Sequence, residues 1–373
     1  MQFPNNTSDY RHAFFHSVWQ PFNKLYFRYI MSRSFLFFFL LLPVFAASQS
    51  YRGLSVAGRN LVWVSGSKGT VLRTTNGGKS WDTLNPVGFE NKDFRDIHAA
   101  DKKHAIIMSS GDSGVLLSTH NGGKNWKIIF SDYRKGVFFD AFDVRKNQLL
   151  LVGDGIETCK MYIVKANAPF DSGRFSAFTF FTKFSHREFH KGVMPDSTSS
   201  YYAASGTNVQ WTGKNMFSII PFMDNKSEFF AVSNNWSWRR GKLLPFKNQK
   251  AGGAYGFYQV RKKIVAVGGS FYKPNDGDSA ACYSNDGGQN WFPSSTPPGG
   301  YRSGVCANRN GKIWICTGPN GTDLSLDAGQ NWANLKKLPG YNVCHISGKY
   351  LWLAGKAAAG INRIKLRHLK QFL

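Results

Sequence analysis

The chain has 373 residues, of which 42% are hydrophobic and 16% aromatic, and it carries a formal net charge of +25. A chain of this length usually forms more than one hydrophobic core, unless its fold is a closed repeat. The hydrophobic content excludes an intrinsically disordered chain. The 38 Gly residues, and the lack of long apolar runs at helical spacing, are typical of many short strands joined by tight turns. We therefore expect an all-β protein whose positive charge favours acidic partners.

A cleavable signal peptide is predicted near the N-terminus. Residues 31–48 read MSRSFLFFFLLLPVFAAS, with Arg33 as a basic start, an apolar run from Phe35 to Phe45 and small residues up to Ser48. The run is shorter than the roughly 20 residues of a membrane-spanning helix. The cleavage region contains no Cys, so we expect no lipid anchor. We expect cleavage near Ser48, a mis-called or disordered extension at 1–30, and a periplasmic or extracellular protein without a transmembrane anchor.

Four octapeptides recur along the chain. They are TTNGGKSW (74–81), THNGGKNW (119–126), SNDGGQNW (284–291) and SLDAGQNW (325–332). Upstream of each, the sequence parses as strand, turn, strand, turn, strand, and a fourth short strand follows the Trp. The octapeptide is therefore predicted to be the turn between the third and fourth strands of a repeated unit.

Seven such units can be aligned on an opening aromatic residue. The units start at Tyr51, Phe94, Phe139, Tyr202, Tyr255, Tyr301 and Tyr341. A period of roughly 40–50 residues with four strands each is the signature of a β-propeller, and seven lies within the usual range of blade numbers. We therefore predict a single seven-bladed β-propeller over 49–373, with an excursion from the scaffold at 168–201. The last unit shows three strands, which leaves open how the ring closes.

The octapeptide resembles the Asp box, or bacterial neuraminidase repeat, Ser/Thr-x-Asp-x-Gly-x-Thr-Trp. Its Asp or Asn can accept hydrogen bonds from backbone amides of its own turn, its Gly allows a backbone angle that other residues resist, and its Trp packs the blade. The Asp or Asn position is filled by Asn76, Asn121, Asp286 and Asp327. The Gly position is filled by Gly78, Gly123, Gly288 and Gly329, and the Trp position by Trp81, Trp126, Trp291 and Trp332. In families that share the box, it lies far from the propeller axis and serves folding. The resemblance implies a scaffold role rather than catalysis or calcium binding.

Among propellers with this box, the chain is most similar to the photosystem II stability/assembly factor family, in the type that non-photosynthetic bacteria secrete. The similarity spans about 51–366 and is carried by phrases such as YRGLSV, VWVSGSKGTVLRTTNGGKSW and AASGTN. It implies a seven-bladed propeller that binds other proteins and assists assembly. Some relatives are labelled oxidoreductases, but the sequence holds no dinucleotide fingerprint, so we expect no cofactor.

Residues at equal offsets in a repeat lie at the same height around a closed ring. Directly after the opening aromatics come three arginines, an aspartate and an asparagine: Arg52, Arg95, Arg302, Asp140 and Asn342. The arginines fall on units one, two and six, within one sector spanning unit seven, where three guanidiniums would bind carboxylate or phosphate. The alternative is that each Arg extends to solvent or pairs with a local Asp such as Asp96. The favoured hypothesis is a monomeric, non-catalytic module that binds an acidic protein or an anionic glycan through a basic inner face.

Two other functions stay open on the sequence. The first is a glycoside hydrolase of sialidase-like or glucan-cleaving type; the sialidase chemistry needs an arginine triad, a Tyr–Glu nucleophile pair and an Asp acid. The chain contains four Glu residues, which are Glu90, Glu157, Glu188 and Glu228. Two-carboxylate chemistry would have to use scattered residues such as Asp140, Asp143, Asp154 and Glu157. The second alternative is a receptor-like module that binds glycans.

The remaining motifs are assigned to structure. The five cysteines lack CxxC spacing and mostly lie in apolar strand sequence, so we predict buried thiols rather than disulfides. They are Cys159, Cys282, Cys306, Cys316 and Cys344. HREFH (186–190) lacks the HExxH spacing of a zinc site, and Trp238 in WSWRR (236–240) is interpreted as a degenerate copy of the box Trp. We expect no metal site, and the export signal argues against nucleic acid as a partner.

Overall fold

The computed structural model describes residues 49–373 apart from 112, 147, 156–161, 168–175, 181–199, 203, 214, 224–225, 234–241 and 357, and gives the backbone alone for 167 and 176–180. These residues belong to one compact unit, Ser48–Leu373. The predicted extension 1–30 and signal peptide 31–48 lie outside the described residues, and so do Cys159, the HREFH motif and Trp238.

The described residues form seven antiparallel sheets, here called blades 1–7 in chain order, and the prediction of a seven-bladed β-propeller is confirmed. Blade 1 contains β1 (Tyr51–Val56), β2 (Val62–Gly66), β3 (Val71–Thr74) and β4 (Asp82–Thr83). Blade 2 contains β5 (Asp93–Ala99), β6 (Ala105–Ser110), β7 (Gly114–Thr119) and β8 (Lys127–Asp132). Blade 3 contains β9 (Phe139–Arg145), β10 (Gln148–Gly153), β11 (Tyr162–Asn167) and β12 (Ser176–Phe180). Strand β12 lies inside 168–201, so that part of the predicted excursion belongs to the scaffold.

The second half of the ring repeats this order with two variations. Blade 4 contains β13 (Val209–Gly213), β14 (Met216–Ile219), β15 (Phe222–Met223), β16 (Lys226–Ser233) and β17 (Lys242–Leu243). Blade 5 contains β18 (Ala254–Val260), β19 (Lys263–Gly268), β20 (Ala281–Ser284) and β21 (Phe292–Pro293). Blade 6 contains β22 (Gly304–Ala307), β23 (Trp314–Gly318), β24 (Gly321–Ser325) and β25 (Ala333–Asn334). Blade 7 contains β26 (Val343–Ser347), β27 (Tyr350–Ala354) and β28 (Ile361–Lys365), followed by a 3-10 helix (Leu366–Phe372).

The core of the propeller lies between the blades. Among the described residues, one cluster of buried apolar side chains separates each pair of neighbouring blades. Between blades 1 and 2, for example, Trp63 of β2 packs with Val115 and Leu117 of β7. Each large apolar side chain buried in this way contributes roughly 1.5–3 kcal/mol. A single blade cannot cover its own apolar faces, so the blades stabilise one another as neighbours in the ring.

Ring closure uses polar contacts between blade 7 and the residues that lead into β1. The Tyr51 amide donates a hydrogen bond to the Gly355 carbonyl at 2.9 Å. The Asn342 side-chain amide donates to Ser50 Oγ at 2.9 Å and to the Tyr51 carbonyl at 2.8 Å. Blade 7 has three strands in the described residues, and the 3-10 helix instead places Leu369 in the cluster between blades 6 and 7. The C-terminus therefore supplies the apolar contact that an outer strand and box turn supply elsewhere.

The four octapeptides form the same hydrogen-bonded turn. In each, the hydroxyl of the first residue accepts a hydrogen bond from the Gly amide four residues later at 2.9 Å. The side-chain oxygen Oδ1 of Asn76, Asn121, Asp286 or Asp327 accepts from the amide four residues further on at 2.9–3.0 Å. The fixed Gly has φ between 85° and 87° in all four turns, a left-handed conformation that favours glycine. The first-residue hydroxyl is a second anchor of the turn, which was not predicted from the sequence.

Each octapeptide Trp packs against the preceding blade rather than within its own. Trp81 of blade 1 meets Trp352 of blade 7 edge-on, with ring centroids 6.4 Å apart. Trp126 of blade 2 meets Trp63 of blade 1 in the same way at 6.4 Å. Trp291 and Trp332 pack in the clusters shared with blades 4 and 5. The turns therefore hold neighbouring blades together.

Candidate functional site

The strand directions separate the octapeptide turns from the predicted binding residues. Successive strands of a blade are antiparallel, so the start of the first strand and the loop between the second and third strands lie on one face of the ring. The turn between the third and fourth strands lies on the opposite face. We call the first of these the mouth face; it carries Arg52, Asp93, Arg95 and Asp140. The octapeptides lie on the other face, which we call the turn face.

Arg302 is not part of an exposed basic surface, which corrects the predicted arginine cluster. Its side chain is completely buried and forms an ion pair with Asp323 at 2.5 Å. Its guanidinium also donates to the Tyr301 carbonyl at 2.9 Å and to Asn320 Oδ1 at 2.7 Å. With its charge paired and with Nε and Nη1 donating inside blade 6, Arg302 serves the scaffold.

Asn342 also serves the scaffold, because its side-chain amide donates to Ser50 and to the Tyr51 carbonyl and so closes the ring. Two of the five predicted binding residues are therefore structural.

Arg52 and Arg95 lie together at the mouth face and share one carboxylate. Arg95 Nε donates to Asp93 Oδ2 at 2.8 Å, and Arg52 Nε lies 3.6 Å from the same oxygen. Burial lowers the pKa of Arg52, the Asp93 carboxylate opposes that shift, and the neighbouring Arg95 adds to it. The predicted alternative, pairing with a local Asp, is therefore met by Asp93 and not by Asp96. One carboxylate for two guanidiniums leaves a net positive site.

Arg52 retains hydrogen-bonding capacity at this site. Its Nε is buried and has no hydrogen-bond partner among the described residues, and its side chain is 30% exposed. A buried donor without a partner is costly. Because Nε is buried, an anionic group at the mouth face would approach the exposed part of the Arg52 side chain, which is 30% of it.

Asp140 lies beneath the arginines, beside a second carboxyl group. It is completely buried. Burial raises its pKa, the nearby Asp154 raises it further, and Arg95 opposes both effects. Asp154 itself accepts the Tyr201 amide at 2.9 Å. The site therefore contains two neighbouring carboxyl groups, and neither carboxyl oxygen of Asp140 has a hydrogen-bond partner among the described residues.

The opening aromatics of blades 4–6 form part of the mouth face, a role that was not predicted from the sequence. Tyr202 stacks on Tyr255 with ring centroids 3.8 Å apart, and Tyr255 meets Tyr301 edge-on at 4.6 Å. Tyr301 and Arg52 each act on the other's pKa, so the aromatic cluster lies within electrostatic range of the arginines on this face. The equal offset of these tyrosines in the repeat was the signal that could have revealed the cluster.

A loop of blade 4, Ala204–Asn208, crosses the centre of the ring. Ser205 Oγ donates to the Ser303 carbonyl of blade 6 at 2.7 Å, and the Thr207 carbonyl accepts the Phe257 amide of blade 5 at 2.9 Å. A Cβ on Gly206 would meet the Asp96 carboxyl of blade 2 at 2.5 Å. The loop therefore closes the axis below the mouth face, and a ligand at the mouth has a solid floor.

Polar side chains on the innermost strands join adjacent blades. Asp96 of blade 2 accepts the Phe142 amide of blade 3 at 2.9 Å, and Asp143 of blade 3 accepts the Trp211 amide of blade 4 at 2.7 Å. Burial raises the pKa of Asp143 to about 6, although the backbone donors partly oppose this effect. Asp96 and Asp143 are therefore structural carboxyls, distinct from the mouth-face site.

The raised pKa of Asp143 predicts a measurable pH dependence. An acid whose pKa is higher in the folded than in the unfolded protein favours folding at low pH, and this contribution is lost as the pH rises through the folded pKa. Asp143→Asn removes that titration. We expect the free energy of unfolding of the variant minus that of wild type to rise by about 2–3 kcal/mol between about pH 4 and pH 7. Chemical denaturation of both proteins at the two pH values measures it, and a pH-independent difference would contradict the assignment.

The arginine triad of a sialidase-like hydrolase is not formed by the three predicted arginines, because Arg302 is buried against Asp323. Glu157 and Glu188 lie outside the described residues. Within the part of the chain that the structure describes, no three His, Cys, Asp or Glu side chains converge as a metal site requires. Also in that part, no helix has the length and apolar character needed to cross a membrane. Cys282, Cys306, Cys316 and Cys344 are free buried thiols, as predicted.

Comparison with known proteins gives a match in structure alone. No model of a known protein family matches the chain, and no curated protein matches it. A solved structure described as YCF48 bound to D1 peptide is similar with a TM-score of 0.58 and 13% identity, covering 86% of this chain and 94% of that chain. A structure of YCF48 from Cyanidioschyzon merolae gives a TM-score of 0.56 and 12% identity, covering 86% and 97%. At these identities the similarity establishes the shared propeller fold.

Proposed function

We propose that this chain is an exported, non-catalytic propeller that binds another protein through its mouth face, as an assembly-factor-like module. The similar solved structures support the class, since both are YCF48 propellers, which are photosystem II assembly factors, and one of them was solved with a bound peptide. The signal-peptide pattern of residues 31–48 supports export. The four octapeptide turns are best interpreted as Asp boxes that build the scaffold on the turn face.

The observation that carries the proposal is the arginine pair at Asp93. Two half-buried guanidiniums lie on either side of one carboxylate, with the Arg52 donor Nε left without a hydrogen-bond partner among the described residues. A guanidinium offers a planar fork of donors that matches a carboxylate. The predicted basic inner face is therefore smaller than the sequence indicated, and its proposed ligand is an acidic side chain or a chain terminus of a partner protein.

The proposal predicts that partner capture depends on these two arginines. The full chain, immobilised, is used to capture proteins from the native cell envelope, and Arg52→Ala/Arg95→Ala is compared with wild type. We expect the double variant to lose most of the captured partner, at least a 10-fold reduction, because truncating interface arginines commonly costs more than about 1.4 kcal/mol. The matched control is Arg59→Ala/Arg309→Ala, which removes the same charge from exposed positions on the turn face.

Equal capture by wild type and the mouth-face variant would contradict the proposal. Equal losses in the mouth-face and control variants would show that net charge alone drives association, and that result would also contradict it. Release of sugar from a panel of sialosides or glucans by the purified protein would overturn the non-catalytic assignment.

A further inference from the structure

The mouth face carries an exposed aromatic pair that the scaffold does not need. Phe271 is 47% exposed and Tyr272 is 57% exposed, both in the loop between β19 and β20 of blade 5. Their ring centroids are 4.3 Å apart. We call these two residues the aromatic shelf. Exposed large apolar side chains placed side by side commonly mark an interaction site.

The loop that carries the aromatic shelf is held in place by its own hydrogen bonds. The Lys273 amide donates to the Ser270 carbonyl at 3.0 Å, and the Tyr301 amide donates to the Pro274 carbonyl at 3.0 Å. Asn320 of blade 6 donates to Asn275 Oδ1 at 2.9 Å. The shelf is therefore presented on a fixed loop, which reduces the entropy that binding would cost.

The aromatic shelf is continuous with the arginine site. Phe271 meets Tyr255 edge-on at 6.5 Å, and Tyr255 contacts Tyr301 at 4.6 Å. Tyr301 and Arg52 both lie where the chain enters the first strand of its blade, on the mouth face, and each acts electrostatically on the other's pKa. An extended peptide advances about 3.3 Å per residue, so one segment lying across the mouth face can contact the shelf with one side chain and the arginines with another.

The geometry of the shelf suits a side chain rather than a sugar ring. The Lys250 ammonium lies 4.5 Å from the Tyr272 ring centroid, and the Phe271 ring is tilted 32° against Tyr272. The Lys250 ammonium covers one face of the Tyr272 ring, and the two rings are not coplanar, so they do not form one broad flat face for stacking. Lys250 also extends the positive charge of the mouth face from the arginines to the aromatic shelf.

Building on the proposed function, we propose that the mouth face recognises a peptide segment of its partner in which an aromatic side chain lies a few residues from a carboxylate. The aromatic side chain packs on Phe271 and Tyr272. The carboxylate accepts hydrogen bonds from Arg52 beside Arg95. The chemistry of the partner is thereby specified by two subsites on blades 1, 2 and 5.

A random peptide library displayed on phage tests this directly against the full chain. Wild type is expected to enrich peptides that combine Phe, Tyr or Trp with Asp or Glu. Phe271→Ala/Tyr272→Ala is expected to keep the acidic preference and lose the aromatic one, and Arg52→Ala/Arg95→Ala is expected to do the reverse. For one enriched peptide, fluorescence anisotropy should show a 10-fold to 50-fold weaker affinity for the shelf variant, as for aromatic hot spots.

The control is Phe292→Ala, which removes an aromatic residue of equal exposure, 50%, from outer strand β21 of the same blade. It should leave peptide binding unchanged, and thermal unfolding should show that all variants are folded. Enriched peptides that are acidic without an aromatic preference would overturn the shelf and leave the proposed function intact. No enrichment by wild type would count against both. Binding of a sulfated oligosaccharide that the shelf variant abolishes, without peptide enrichment, would show a glycan site instead.

Discussion

Asp323→Ala is expected to destabilise the propeller by about 3–5 kcal/mol, because it would leave the Arg302 guanidinium charged, buried and unpaired. Arg302 is completely buried and Asp323 is 1% exposed. The same carboxylate also accepts the Gly299 amide at 3.2 Å and the Asn334 side chain at 3.1 Å. Its loss therefore removes the partner of several donors at once. Urea denaturation of wild type and variant measures the difference.

The control for this prediction is the exposed ion pair between Arg73 and Asp82, at 2.8 Å. Asp82 is 57% exposed, so Asp82→Ala should cost no more than about 1 kcal/mol. A loss of similar size in the two variants would show that Asp323 has no special role in the scaffold. It would also reopen the possibility that Arg302 contributes to a binding surface.

The second large effect is expected at Gly268, the last residue of β19. Its backbone lies against the backbone of the segment that leads into β18. A Cβ at this position would lie 1.8 Å from the Gly253 carbonyl oxygen and 2.8 Å from its carbon. Both are backbone atoms, so they cannot swing aside as a side chain would. Gly268→Ala should therefore destabilise the protein by about 2–4 kcal/mol, at the upper end of the range for overpacking.

The matched control is Gly58→Ala, in the turn after β1. Its new Cβ would have Leu61 Cβ at 3.8 Å as its nearest neighbour. That is ordinary contact, and the change should fall within about 1 kcal/mol of neutral. Thermal and chemical denaturation compare the two variants. A Gly268→Ala protein as stable as the control would contradict the close backbone approach.

The same close approach of a glycine to a backbone carbonyl recurs in other blades. It helps to position the strand starts that form the mouth face. A Cβ on Gly66, Gly153 or Gly318 would also meet a backbone carbonyl oxygen, at 2.3 to 2.4 Å, in the segment that leads into the first strand of its blade. These glycines end the apolar second strands in VWVSG, LLLVG and IWICTG. They therefore hold the starts of the first strands, where the predicted binding residues lie. Their repeated position was visible in the sequence, but the reason for it was not.

The blade number could be predicted because it depends on the order of short elements within a repeat. The opening aromatic, the second apolar strand and the octapeptide recur at similar offsets, and each has a local physical cause in strand pairing or turn chemistry. Ring closure could not be predicted in this way. It depends on Asn342 meeting Ser50 and Tyr51, residues about 290 positions apart that share no local pattern.

Only some of the binding residues could be predicted. Equal offsets in the repeat determine where the backbone lies, but they do not determine which residue the side chain contacts. Arg52 and Arg302 occupy the same offset, but Arg302 faces Asp323 on the third strand of its own blade. Relative to the octapeptides, the positions equivalent to Asp323 are Leu72, Leu117 and Cys282. The single carboxylate, Asp323, at a position that is apolar in the other copies was the sequence signal of a buried ion pair. The aromatic shelf has no equivalent in the repeat, since it lies in a loop of blade 5.

The most direct test of the central claim is to locate the bound partner on the propeller surface. A photo-crosslinking amino acid is placed either at Lys250, exposed on the mouth face, or at Lys79, exposed in the first octapeptide on the turn face. After incubation with the native envelope and irradiation, we expect a partner adduct from position 250 that disappears in the Arg52→Ala/Arg95→Ala background. No comparable adduct should form at position 79. An adduct from position 79 alone, or one from position 250 that persists without the two arginines, would contradict binding through the mouth face.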